Sequence, residues 1–194
     1  GIIMKVFIIV FLFGMGLLLN ANEIQRPDDL FTLMQEKLLG NWRLSEAKDQ
    51  IDTNSYKHPA VFPLIGTNKV AITFKMIGGD STLQEDLLPD TAKQMVTMYH
   101  CYDMACSKLK ATHYCVKQNQ PELFANTNES TPNRIVFDCD MSTELCRSNE
   151  DHVHQIIHEF SNGNKHLKTS YLSWENQQLK DNSSIYHFDK IDQK

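Results

Sequence analysis

The chain lacks a basic cluster, an acidic tail and any apolar run long enough to cross a bilayer. Nucleic-acid binding needs a basic stripe set against phosphate charge. Here 19 Lys and Arg are interspersed with 24 Asp and Glu, for a net charge of −5, so nucleic acid is not an expected partner. No internal repeat is present, which removes propellers and solenoids. No strand–helix–strand spacing is present either, which removes parallel α/β folds. Also missing are a glycine-rich phosphate loop, a serine-centred nucleophile elbow and the carboxylate pair of a glycosidase. Without these signatures an enzyme is the less expected reading.

The longest apolar stretch runs from Val6 to Leu19, 14 residues of apolar side chains and glycine behind Met4-Lys5. That length matches the core of a secretory signal and falls short of the roughly 20 residues of a membrane span. Ala21 supplies the small residue at the cut. Residues 1–21 are therefore expected to be a cleaved signal, leaving a chain that starts near Asn22, is exported to a periplasm or secreted, and keeps no stable membrane anchor. Cysteine is scarce, with five in 194 residues. In an oxidising compartment thiols close in sequence pair. Cys101 and Cys106 flank one turn and Cys139 and Cys146 another, so two local disulfides are expected, with Cys115 left free. Neither pair has the spacing of a zinc knuckle.

What is present is a change of period. In the segment 22–40, Leu30, Leu33, Met34 and Leu38 recur at helical spacing behind Asp28 and Asp29, either of which can cap the helix. From Asn41 onward the period is two. Trp42 and Leu44 open a strand, an irregular stretch from Asp49 to Asn68 reads as a lid or rim, and short strands follow to Ile191, separated by turns such as Gly78-Gly79-Asp80 and Asn162-Gly163-Asn164. Residues 41–194 are thus expected to form an all-β domain, an antiparallel lipocalin-like barrel of about 9–10 strands with one short N-terminal helix. The strand faces are mixed. His152, His154, Ile156, His158 and Phe160 share one face by parity, and Leu109, Ala111, His113 and Cys115 share another. A barrel with a partly polar interior accounts for such faces.

Gly40-Asn41-Trp42, placed after a short helix, resembles the entry of the calycins (lipocalins, fatty-acid-binding proteins and nitrobindin-like haem barrels). There the tryptophan closes one barrel end and the glycine turns the backbone in beneath it. The stretches Met95 to His100, Thr112 to Cys115, Asn119 to Pro121 and Asp151 to His154 resemble an uncharacterised bacterial family of lipocalin-like barrels over most of the chain. Tyr171 stands where that family usually has tryptophan. The resemblance implies the barrel and says little about activity.

The expected function is binding of a small amphipathic or apolar ligand inside the barrel. The residues expected to contact or frame it are Trp42, His100, His113, Asn119, Gln120, His152, His154 and Tyr171. Residues two apart on a strand lie ~6.6–7 Å apart on one face, so His152 and His154 can reach one point, with His113 across the interior. Hydrogen bonding within a polar floor is the expected role of these imidazoles, with no metal. Zinc or haem held by His113, His152 and His154 is the alternative. A histidine-using isomerase or hydrolase, or a secreted scaffold presenting its loops, are the rival functions. Cofactor and oligomeric state are not specified by the sequence.

Overall fold

The computed structural model describes residues 26–46 and 54–192. The expected signal, residues 1–21, lies outside the described residues, as does the start of the irregular stretch after Asp49. Helix α1 (Pro27–Leu38) is followed by β1 (Gly40–Leu44), β2 (Ile72–Ile77), β3 (Thr82–Leu87), β4 (Met95–Cys101), β5 (Leu109–Tyr114), β6 (Glu122–Ala125) and β7 (Arg134–Cys139). A one-turn helix α2 (Glu144–Arg147) then leads to β8 (His152–Ser161), β9 (His166–Glu175), β10 (Gln178–Leu179) and β11 (Ser184–Lys190). Each strand pairs antiparallel with the next from β1 to β9. β9 pairs with β11 and β11 returns to β1, so ten strands close on themselves while β10 folds back on the end of β9. The fold is a closed antiparallel β-barrel of ten strands with one short helix on its N-terminal side. Closure removes the exposed sheet edges that an open sheet would carry.

Alternation selects the interior. Leu83 and Leu87 of β3, Tyr99 of β4, Leu109 and Ala111 of β5, Ile135 and Phe137 of β7, Leu167 and Tyr171 of β9 and Tyr186 and Phe188 of β11 all belong to one buried core. Helix α1 plugs one end through Leu30, Phe31, Met34 and Leu38, packing over β4 and β5. Its N-cap is Arg26, not Asp28 or Asp29 as expected, because Pro27 takes the first helical position, where its fixed φ is already helical. The two aspartates fall in the first turn, where they favour the positive end of the helix dipole. Gly40 sits at φ +118°, a backbone state costly for residues with a Cβ. This bend carries the chain from α1 into β1 and puts Trp42 inside, its Nε1–H donating to the Leu38 carbonyl at 2.8 Å.

The opposite mouth is ringed by the loops after β1, β3, β5, β7 and β9. Residues 54–66 fold over it and send Tyr56, Val61 and Leu64 into the core. Tyr56 Oη donates to the His187 carbonyl at 2.9 Å and accepts from its N–H, and Ser55 Oγ accepts from the Ile185 N–H. Both expected disulfides are formed, Cys101–Cys106 and Cys139–Cys146, with Cα separations of 4.7 and 5.8 Å. Cys115 is unpaired. Among the described residues no helix is long and apolar enough to cross a membrane.

Candidate site in the barrel interior

The interior carries a polar cluster centred on Glu85. The residue lies between Leu83 and Leu87 on the inward face of β3 and is fully buried. Register places it beside Thr97 of β4, and Thr97 beside His113 of β5. On the facing wall, His158 of β8 pairs with Thr169 of β9, and Thr169 with Tyr186 of β11. Two bonds join the walls across the lumen. Tyr171 Oη donates to Glu85 Oε1 at 2.6 Å, and Tyr99 Oη lies 3.0 Å from His158 Nε2. Glu85 also accepts from Tyr99 Oη at 2.7 Å and Thr97 Oγ1 at 3.1 Å, so three hydroxyls surround one carboxylate.

These donors fix both tautomers when the carboxylate is ionised. Thr97 spends its proton on Glu85, so its oxygen accepts from His113 Nδ1–H at 2.9 Å. Tyr99 spends its proton on Glu85, so its oxygen accepts from His158 Nε2–H, and His158 Nδ1 accepts from Thr169 Oγ1–H at 3.0 Å. His158 is therefore satisfied at both nitrogens. His113 is not: its Nε2 is a bare lone pair, buried, with no hydrogen-bond partner among the described residues. Tyr186 Oη, also in the lumen wall, has the Ser184 hydroxyl as its neighbour. Tyr171 lies between them, its ring 5.6 Å from that of His113 and 6.4 Å from that of Tyr186.

Burial governs the ionisation of the cluster. It pushes the Glu85 carboxyl up to about 7, against the three hydroxyl donors that pull the other way. It pushes His113 down to about 4, assisted by the Lys117 ammonium, and His158 down to about 3. Tyr99 and Tyr171 are held well above the ordinary phenol value, first by burial and then by the neighbouring Glu85 charge. At neutral pH both imidazoles are neutral and Glu85 is poised between its two forms.

Of the residues singled out from sequence, the structure brings His113 and Tyr171 to this cluster and places Trp42 at the helix-plugged end, under the Lys190 ammonium. The others lie elsewhere. His100 shares the outward face of β4 with Val96 and Met98, and its Nδ1–H donates to the Cys101 carbonyl. Asn119 ties the β5–β6 connection to the mouth, donating to the Asp151 carbonyl at 2.9 Å, and Gln120 is exposed. His152 and His154 do not share a face with Ile156 and Phe160, because a β-bulge between Val153 and Gln155 makes His154 an extra residue in the ladder. Val153 turns into the core instead. His152 Nδ1–H donates to the Glu150 carbonyl, its Nε2 accepts from His154 Nδ1–H, and the His154 ring stacks on Trp174 at 3.9 Å. Four imidazoles thus do not converge inside the barrel.

Glu85, Thr97, Tyr99 and His158 were not among the residues singled out. A sequence signal existed for Glu85: a carboxylate at a period-two position flanked by Leu83 and Leu87 is misplaced unless it has a purpose. Beside the lumen, a groove of about 880 Å³ at the same mouth is lined by Pro59, Pro63, Leu64, Val70 and Pro89 with His58 at its edge. No protein-family model matches the chain, and no curated protein matches it.

Proposed function

We propose that this is an exported barrel, lipocalin-like in build, that binds a small amphipathic molecule in its lumen, the polar end anchored at His113. The observation that carries the reading is the bare Nε2 of His113. A buried polar atom without a partner costs about 1–3 kcal/mol, and here it is held in place by a bond from Nδ1 to a hydroxyl that is itself fixed by a carboxylate. The lone pair asks for a donor, so the ligand is one with an O–H or N–H at its polar end. Toward the mouth the interior is apolar, with Met95, Leu87 and Leu44 buried in the core, which suits the apolar body of such a ligand. Two disulfides fit an oxidising compartment.

Native mass spectrometry of protein isolated from the exported fraction of its own host tests this. The expected result is a co-purifying molecule of a few hundred daltons, retained by the parent and lost from His113→Phe. That substitution keeps an aromatic ring in place and removes the lone pair. A parent that carries nothing, or a variant that carries the same molecule equally well, overturns the reading.

A further inference from the structure

We infer that the mouth of the barrel holds a site for a monovalent soft cation, copper(I), made by Cys115, Met95 and His113. The inference goes beyond the organic-ligand reading and shares His113 and Met95 with it, while Cys115 belongs to this site alone. Thr97 pairs with His113 and Val96 with Tyr114, so the next rung of the same ladder sets Met95 beside Cys115. Both side chains pack against the interior core. Their sulfurs stand 3.9 Å apart, the Cys115 Sγ–H donating to Met95 Sδ. Two sulfurs bound to one ion at about 2.3 Å and about 120° to each other lie about 4.0 Å apart, taking the metal–sulfur bond length seen with zinc thiolates. The pair is already at the separation a trigonal site needs.

The third ligand comes from the neighbouring rung. His113 is fully buried, and its bare nitrogen is the one independent sign that something is missing here. With Glu85 ionised, its tautomer is also that of a metal-binding histidine. Such residues donate their other ring N–H to an oriented acceptor, commonly backed by a carboxylate. Here Nδ1–H donates to Thr97 Oγ1 and Thr97 donates to Glu85. Residues two apart on a strand lie ~6.6–7 Å apart on one face, so the imidazole of His113 and the thiol of Cys115 can close on one ion between them. One thiolate, one thioether and one imidazole form a soft set, which selects copper(I) over harder divalent ions.

On binding, the cation replaces the thiol proton, which leaves to solvent, and no electron is transferred. The Lys93 and Lys117 ammonium groups lie within electrostatic reach of this corner: Lys93 feels both the Cys115 thiol and Lys117, and Lys117 feels His113. One lone pair serves one occupant, so His113 holds either the ion or the organic donor.

The test uses the full exported chain with both disulfides formed, titrated anaerobically with copper(I) against a chromogenic copper(I) chelator. Silver(I) serves as an air-stable second probe, read by native mass spectrometry. One ion per chain is expected. Cys115→Ala is expected to weaken retention at least 100-fold, and Met95→Leu and His113→Phe about 10-fold or more each, with unchanged far-ultraviolet circular dichroism. X-ray absorption of the copper-loaded parent is expected to show two sulfur scatterers and one nitrogen, which keeps the proposal decidable if a variant misfolds. No retention by the parent overturns the inference. So does Met95→Leu and His113→Phe binding at parental strength, which marks an ordinary thiol, or a copper shell lacking the thioether and imidazole. Cys115→Ala leaves the proposed organic anchor at His113 intact. Loss of metal binding with a retained small molecule therefore refutes this site alone, and metal binding without any small molecule refutes the other reading alone.

Discussion

Glu85 and the two buried histidines pull the acid stability of the protein in opposite directions. His113 and His158 have folded pKa values of about 4 and about 3, below the ordinary 6.5. Their contribution is fully present above pH 6.5 and is lost as pH falls, because the unfolded chain takes up protons that the folded one refuses. Glu85, raised to about 7 from an ordinary 4.5, does the reverse: its folded form holds a proton between those values, so its contribution grows as pH falls from 7 to 4.5. Between pH 6 and 4.5 two histidine protons oppose one from Glu85. The net slope is about one proton, or about 1.4 kcal/mol per pH unit, with stability declining toward acid. Glu85→Gln keeps the shape and removes the opposing proton. Urea denaturation at intervals between pH 4.5 and 6 is expected to show the slope rising to about two protons in that variant. An unchanged slope would mean that Glu85 does not titrate in this window.

The strands differ in how openly the sequence declared them. Short strands of period two, separated by turn residues that mark most strand ends, were enough to give the barrel although their faces are mixed. The histidines of β8 were misassigned for a physical reason: parity assumes an unbroken ladder, and the bulge at His154 leaves no mark in composition. His100 was assigned to the interior because both faces of β4 mix apolar and polar residues, and only the cross-strand partners decide which is inward. His158 shared a face with Ile156 and Phe160 in the sequence and does face the lumen, yet only Tyr99 and Thr169, distant in sequence, make it part of a site. If His154 is a true insertion, its deletion should restore a regular ladder, with Val153 still inward and every later residue of β8 keeping its partner. Its urea midpoint is expected to correspond to a loss of no more than about 2 kcal/mol, the typical scale of a surface bond and a ring stack together. Deletion of Ile157, which would turn His158 and Phe160 out of the core, is expected to prevent folding, as circular dichroism and gel filtration would show.

At the level of the molecule, closure rests on the first and last strands. Trp42 pairs with Lys190 and Leu44 with Phe188, and Lys190 Nζ donates back to the Lys37 carbonyl at the end of α1. Tyr186 and Phe188, both fully buried, belong to this closing strand. A chain ending at Ser183 therefore loses the strand that joins β9 to β1 along with two large core residues. Such a truncation is expected to give a collapsed species that binds anilinonaphthalene sulfonate and lacks a near-ultraviolet circular dichroism spectrum. A cooperative unfolding transition in that species would show that closure is dispensable.

The same pairing sets a schedule for the nascent chain. At about 5–20 residues per second, the partner of Trp42 leaves the ribosome on the order of 10 s after Trp42 itself, since Lys190 of β11 lies so far along the chain. Until then β1 and β9 are two open sheet edges with their amides unpaired, able to recruit any extended segment within reach. Local hairpins from β2 to β8 can form early, but the step that seals the interior joins strands nearly 150 residues apart, and contacts of that kind are the slow ones. A factor that holds the chain unfolded until synthesis ends would protect this protein more than one that accelerates any single hairpin.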